Sequence, residues 1–190
     1  GLDMVSKLDV NKTLNKNNYQ SVEKIKNYES DDPGVFNKEN DKRIRKLLSN
    51  ISNSLNKTDK ALDVGCGSGN AYFKLEPFFE EVYGLDISTK MAIQKGIPPN
   101  FLHEGDCENM PYSKETFDGM TAYGVVHHLE DPNHFFKESY RTLRNGGFLY
   151  IDNDKNKIFF QVYVNLMYII SKIKNEGTKY WEDFFIPHAI

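Results

Sequence analysis

Cysteine is nearly absent. Cys66 and Cys107 are the only two in 190 residues, and no C-x-x-C spacing occurs. That excludes a disulfide framework and argues against a cysteine zinc site, so no metal centre is expected and a reducing cytoplasm is the natural compartment. Long apolar runs are missing too, which rules out a membrane-spanning helix, and the polar N-terminus lacks the pattern of a secretory signal. Neither sign of charge dominates: 24 Lys and Arg stand against 27 Asp and Glu, for a net charge of −3. The chain therefore has no general attraction for a nucleic-acid backbone or an anionic membrane, and DNA is not an expected partner. Internal repeats and low-complexity tracts are also lacking.

What is present is a globular composition, 39% hydrophobic and 13% aromatic, in a length that suits one domain with a single core. Residues 1–20 are polar and weakly patterned, as expected of a flexible N-terminal arm. Residues 21–155 carry the organised core. Asp31-Asp-Pro-Gly34 marks a turn, and Ile44, Leu47, Leu48, Ile51 and Leu55 recur at helical spacing, predicting an amphipathic helix over about 40–54.

A repeating strand-and-helix pattern follows. Ala61–Val64 reads as a strand ending in a glycine loop, and Ala71, Leu75, Phe78 and Phe79 give the next helix an inner face. Val82–Asp86 is a second strand, with Ser88 expected to cap the helix running through Met91. Asn100–His103 and Phe117–Ala122 are the third and fourth strands; Asp131-Pro132 supplies a cap and an N1 proline, and Phe136, Tyr140 and Leu143 the inner face of that helix. Asn145-Gly-Gly147 is expected to turn the chain into a fifth strand, Phe148–Ile151. Alternation of this kind predicts an α/β fold, a doubly wound, mainly parallel Rossmann-like sheet with helices on both faces. Residues 156–190 hold an apolar helix over about 156–174 and a segment around Trp181 that stops at Ile190 without a terminating element, so the chain reads as one that is cut short.

The chemistry centres on Asp63-Val-Gly-Cys-Gly-Ser-Gly69. Alternating glycines between a strand tip and a helix bring backbone N–H groups toward a polar or anionic small ligand. Asn70 stands where a dinucleotide fingerprint needs its third glycine, and no lysine follows as in a nucleotide-triphosphate loop. Asp86, at the next strand end, has two oxygens suited to the hydroxyls of a ribose. His127 is a candidate general base, able to take a proton from a hydroxyl, amine or acidic carbon. Its plainer reading, local packing beside His128, remains open, as does a sheet-edge role for Tyr123.

The loop Leu62–Gly69 resembles the first motif of the class I S-adenosylmethionine-dependent methyltransferases. Gly84-Leu-Asp-Ile-Ser88, Gly105-Asp-Cys-Glu-Asn-Met-Pro111, Thr116-Phe-Asp118, Val126-His-His-Leu-Glu-Asp131 and Arg141-Thr-Leu-Arg-Asn-Gly-Gly147 resemble the later motifs of its small-molecule, quinone-biosynthesis-like branch over about residues 20–152. A departure is Arg144-Asn145, where the family usually has lysine and proline.

The resemblance implies S-adenosyl-L-methionine as cofactor and S-adenosyl-L-homocysteine as product. It assigns the cofactor's methionine end to Asp63, Gly65, Cys66 and Gly67, its ribose to Asp86, and its adenine to Ile87, Met91, Asp106 and Cys107. Tyr28 would lie over the cofactor, and Tyr123, His127 and Trp181 would face an acceptor of aromatic or lipophilic character. A final antiparallel hairpin, usual in the family, is not evident before Ile190. The expected assembly is a monomer or homodimer. A non-catalytic or regulatory cofactor-binding subunit and a tRNA-modifying enzyme stay open as alternatives, with a dehydrogenase more distant.

Overall fold

A computed structural model describes residues 37–129 and 131–153 of the chain. Tyr28, Trp181, the N-terminal arm, the 156–174 helix and the question of a final hairpin all lie outside the described residues. Five strands form one wholly parallel sheet: β1 (Lys60–Val64), β2 (Glu81–Asp86), β3 (Leu102–Glu104), β4 (Phe117–Tyr123) and β5 (Leu143–Asp152), in the order β3-β2-β1-β4-β5. Among the described residues the α-helices are α1 (Lys38–Ser52), α2 (Tyr72–Leu75), α3 (Lys90–Gln94) and α4 (Pro132–Thr142).

Strand alternation sends successive side chains to opposite faces. On one face Ala61, Val82, Phe148 and Tyr150 pack with Ile44 and Leu48 of α1 and Tyr72 and Leu75 of α2. On the other, Leu62, Val64, Met120, Ala122 and Leu149 pack with Phe135 and Phe136 of α4. The doubly wound sheet inferred from the sequence is thus present. Strand order reverses direction between β1 and β4, and at such a switch point the loops leaving the strands' carboxyl ends part to leave a crevice.

Several local expectations need correction. Residues 99–101 form a 3₁₀ turn, so the third strand begins at Leu102 rather than Asn100. Asn145-Gly-Gly147 does not turn between elements but lies within β5; the register runs from Phe117↔Leu143 to Gly119↔Phe148, and Gly146 at φ +83° absorbs the resulting bulge. Helix α3 starts after Thr89, and Ser88 does not cap it by side chain; the Ser88 N–H instead donates to Asp86 Oδ1 at 3.0 Å. On α4 the inner face is Phe135, Phe136, Ser139 and Thr142, leaving Tyr140 43% exposed. Asp131 does cap α4, accepting from the Asn133 N–H, with Pro132 at the first helical position.

Candidate cofactor site

The glycine loop springs from the end of β1 and is knit into the sheet by its own backbone. The amides of Gly65 and Cys66 both donate to the Leu85 carbonyl, at 2.7 and 3.3 Å, and that of Gly69 donates to the Cys66 carbonyl at 2.7 Å. The Gly67 N–H donates to Asp86 Oδ2 at 2.9 Å. These four amides therefore hold the loop in place, where the alternating glycines suggest N–H groups turned toward a ligand. Gly65 sits at φ +64°, and a Cβ there would lie 2.3 Å from Cγ2 of Val125, so its missing side chain admits the segment that follows β4. Cys66 turns inward: its thiol occupies the space above Gly84 of β2, and burial pushes its pKa up. Whatever Cys66 offers a ligand, it is not a thiolate.

Asp63 is 1% exposed. Its Oδ1 accepts from the Thr121 hydroxyl at 2.7 Å and its Oδ2 from the Tyr72 N–H at 2.9 Å, tying β1 to β4 and to the start of α2. Burial, reinforced by the nearby charge of Asp86, raises its pKa to about 7 against the pull of those two hydrogen bonds.

Three acids gather at the carboxyl ends of β2 and β3. Asp86 is matched in register with Glu104, and Asp106 follows two residues later. Burial raises the Asp86 pKa, and the charge of Glu104 adds to this; the amides of Ser88, Gly67 and Ile87 oppose it. Asp106 Oδ1 accepts from the Glu108 N–H at 2.9 Å, which shapes the loop carrying Cys107. Ile87 is half-buried, while Met91 is 2% exposed within the core. Such a set of acceptors suits a ligand that brings hydroxyl and amino donors and positive charge. It is a poor neighbour for a pyrophosphate.

At the other side of the crevice, Tyr123 ends β4 and its hydroxyl accepts from Asn40 Nδ2 of α1 at 2.8 Å. His127 and His128 are exposed on a 3₁₀ turn, Val126–His128, with ring centroids 4.0 Å apart. A Cβ at Gly124 would lie 3.9 Å from His127 Cε1, so the ring stands beside the end of β4. The structure thus brings Asp63, the glycines, Asp86 and Asp106 to one edge of the sheet together with Tyr123 and His127.

Sequence reasoning missed the first turns of α1 and the lysine on α2. Arg43 pairs with Asp152 and reaches the Tyr150 hydroxyl at 3.4 Å, tying α1 to the end of β5. Lys74, its side chain only 5% exposed, donates to the Asn70 carbonyl at 2.8 Å and pairs with Asp41 Oδ1 at 3.0 Å. A lysine next to Leu75 on the inner face of a helix is the kind of buried charge that signals a partner. Among the described residues no cluster of His, Cys, Asp and Glu could hold a metal ion, and no helix is long and apolar enough to cross a membrane.

Comparison with known proteins agrees with this layout. Residues 62–151 match a family profile described as "Methyltransferase domain". The chain is 25% identical over 143 residues to the uncharacterised methyltransferase YcgJ of Bacillus subtilis, covering 69% of this chain and 56% of that protein. It is 24% identical over 140 residues to the ubiquinone biosynthesis O-methyltransferase of Proteus mirabilis, covering 69% and 57%. Among solved structures, a Methanococcus maripaludis protein provisionally assigned as an S-adenosyl-L-methionine-dependent methyltransferase superposes with a TM-score of 0.55 at 24% identity, covering 85% of this chain and 74% of that one, a likeness of fold. The chain spans about half the length of these two curated relatives.

Proposed function

We propose that this chain, which belongs to the class I S-adenosylmethionine-dependent methyltransferase superfamily, transfers a methyl group to a small organic acceptor. The observation that carries the reading is the acidic edge of the site: Asp86 at the end of β2, in register with Glu104 and close in sequence to Asp106, beside a glycine loop that Asp86 itself holds. Such a donor-accepting, negatively charged edge fits a nucleoside joined to a sulfonium and an ammonium group. When bound, S-adenosyl-L-methionine supplies an electrophilic methyl carbon open to in-line displacement, with S-adenosyl-L-homocysteine as product.

In this reading Asp86 accepts from the ribose hydroxyls with the lone pairs that the Gly67 and Ser88 amides leave over. Asp106 accepts from the adenine amino group. Ile87 and the Cys107 backbone flank the ring. Asp63 acts through the loop: by tying β1 to Thr121 and Tyr72 it fixes where Gly65 to Gly67 run. His127, exposed at the end of β4, receives the proton that the acceptor's nucleophilic atom gives up, and Tyr123 lines the same side. Alignment of nucleophile and methyl supplies much of the acceleration in such transfers, beside any proton transfer. Tyr28 and Trp181, from segments flanking the described residues, are proposed to cover cofactor and acceptor.

A hydroxyl on a small aromatic or lipophilic acceptor is favoured by the quinone-pathway O-methyltransferase among the relatives. The test is a thermal-shift screen with S-adenosyl-L-methionine, S-adenosyl-L-homocysteine and NAD, followed by turnover with phenols, catechols, amines and carboxylates. A rise in Tm with the two adenosyl compounds alone, and methylation of one acceptor class, is the expected result. A rise with NAD alone overturns the reading, and binding without methylation of any acceptor favours a regulatory subunit.

A further inference from the structure

The helix α4 touches the proposed adenine-side loop at several main-chain atoms, a connection that neither the fold nor the cofactor reading requires. Resting on that reading, we propose that Glu138 and Arg141 are positioning residues that set the chain's selection for the adenine base. Glu138 Oε2 accepts from the Met110 N–H at 2.7 Å. Arg141 donates to the Tyr112 carbonyl at 2.6 Å and to the Met110 carbonyl at 3.1 Å. The two side chains also grip each other, Arg141 Nε to Glu138 Oε1 at 2.7 Å and Nη2 to Oε2 at 2.6 Å. Three main-chain groups of an irregular loop are thereby satisfied by one planar, two-pronged pair.

The segment so held begins four residues after Asp106 and three after Cys107. Its upstream end is anchored by the Gly105 N–H on the Asp86 carbonyl at 2.8 Å. Between those two anchors, the Glu108 and Asn109 amides donate to the side chain and the carbonyl of Asp106. The side chain of Met110, 3% exposed in the core, keeps the downstream anchor seated under α4. An irregular loop with both ends fixed presents a carboxylate at one height above the sheet. Released at the α4 end, it retains its composition and loses its register. A fork of this kind depends on the planar guanidinium, which spreads its donors over three separated nitrogens, whereas the donors of lysine all leave one ammonium nitrogen and cannot pair bidentately with the carboxylate.

The consequence is selectivity at the position on the base where adenine bears an amino donor. The experiment compares the full chain with Arg141→Lys and Glu138→Gln, measuring by calorimetry the affinity for S-adenosyl-L-homocysteine and for S-inosyl-L-homocysteine, whose ring carries an oxo group there. Wild type should prefer the adenosyl compound by about tenfold or more, as expected when an acceptor set to meet an amino donor faces an oxo group instead, and both variants should lose most of that preference. Amide exchange over residues 106–110 should quicken in parallel. A role confined to stability would lower Tm and weaken both ligands alike, leaving the ratio unchanged, and that result overturns the proposal. Should Arg141→Lys fail to fold, Glu138→Gln, which keeps the shape, decides alone. Wild type that binds both compounds equally overturns the selection proposal while leaving the methyltransferase reading in place. Wild type that binds neither overturns both.

Discussion

Asp63 Oδ1 and the Thr121 hydroxyl are 2.7 Å apart at the centre of the sheet, where β1 and β4 lie in register and neither residue sees solvent. The pair spans the switch point that opens the site, so the crevice is floored by a polar contact rather than by aliphatic packing. Thr121→Val keeps the shape and removes the donor, leaving a buried carboxyl oxygen unsatisfied. Stability should fall by about 1–3 kcal/mol, read from urea midpoints at constant slope. A variant as stable as wild type would mean that the pair holds nothing together.

The same burial makes stability depend on pH in an unusual direction. Asp63 starts from an ordinary value of 3.8 and is raised to about 7 in the folded chain. Between those values the folded chain holds a proton that the unfolded chain has released, so the contribution of Asp63 is fully present below the lower value and is lost as pH rises through the upper one. Asp41, Asp131 and Glu138 are shifted downward and contribute with the opposite sign. The clean measurement is therefore a difference: the stability of wild type minus that of Asp63→Asn should shrink from about pH 4 to about pH 8 at fixed ionic strength. A flat difference would contradict the buried-acid assignment.

Arg144, where the family usually has lysine, gathers three carboxylate oxygens around its Nη1 and donates from Nε to the Glu115 carbonyl at 3.2 Å. It reaches Asp59 Oδ2 at 2.9 Å and both oxygens of the buried Asp118 at 3.0 Å, while Asp118 Oδ2 also accepts from the amides of Asp59 and Lys60 at 2.9 and 3.1 Å. Arg144→Ala strands the carboxylate of Asp118. Because the arginine side chain is 31% exposed, the cost should lie below that of a fully buried pair, at about 2 kcal/mol. Arg144→Lys keeps the charge and one donor direction, and should lose about 1 kcal/mol or less. Equal losses in the two variants would show that charge alone does not hold the site.

Much of this was open to reading along the chain because it is local. The glycine loop, Asp86 at a strand tip and Asp131-Pro132 at a helix start each declare themselves within a few positions, since turn geometry and capping are short-range physics. What stayed hidden was contact at a distance. Asn40 and Tyr123 lie 83 positions apart, and nothing in either neighbourhood announces the other. Lys74 meets Asp41 only because α1 lies over α2, a contact that neither neighbourhood announces. The loop amides were misread for a related reason: which carbonyl a strand-end N–H finds depends on the neighbouring strand, and Leu85 of β2 was already there for Gly65 and Cys66.

His127 and His128 offer an internal control, two adjacent imidazoles on one exposed turn with ring centroids 4.0 Å apart. If His127 takes the acceptor's proton, His127→Ala should cut turnover about 100-fold or more on the acceptor that the screen identifies, with S-adenosyl-L-homocysteine affinity unchanged. His128→Ala should cost far less. Full turnover in the first variant removes the base assignment and leaves alignment as the source of rate.

Asp86 carries the sharpest consequence, because it serves the loop and the proposed ligand with the same two oxygens. Asp86→Ala takes away the acceptor for the Gly67 N–H and for the Ser88 N–H as well as the ribose contacts. Asp86→Asn keeps a single carbonyl oxygen, enough for one of those amides, and turns its NH₂ toward whatever shared the other. Hydrogen bonds to a charged acceptor contribute about 1.5–3 kcal/mol each, so calorimetry with S-adenosyl-L-homocysteine should show binding weakened by about 10–100-fold in Asp86→Asn and further in Asp86→Ala. The order matters more than either value. A ligand held by the ribose must lose most when both oxygens go, whereas a loop merely loosened would lower Tm in both variants and leave their affinities alike. Unchanged affinity in Asp86→Ala would move the nucleoside away from β2 altogether.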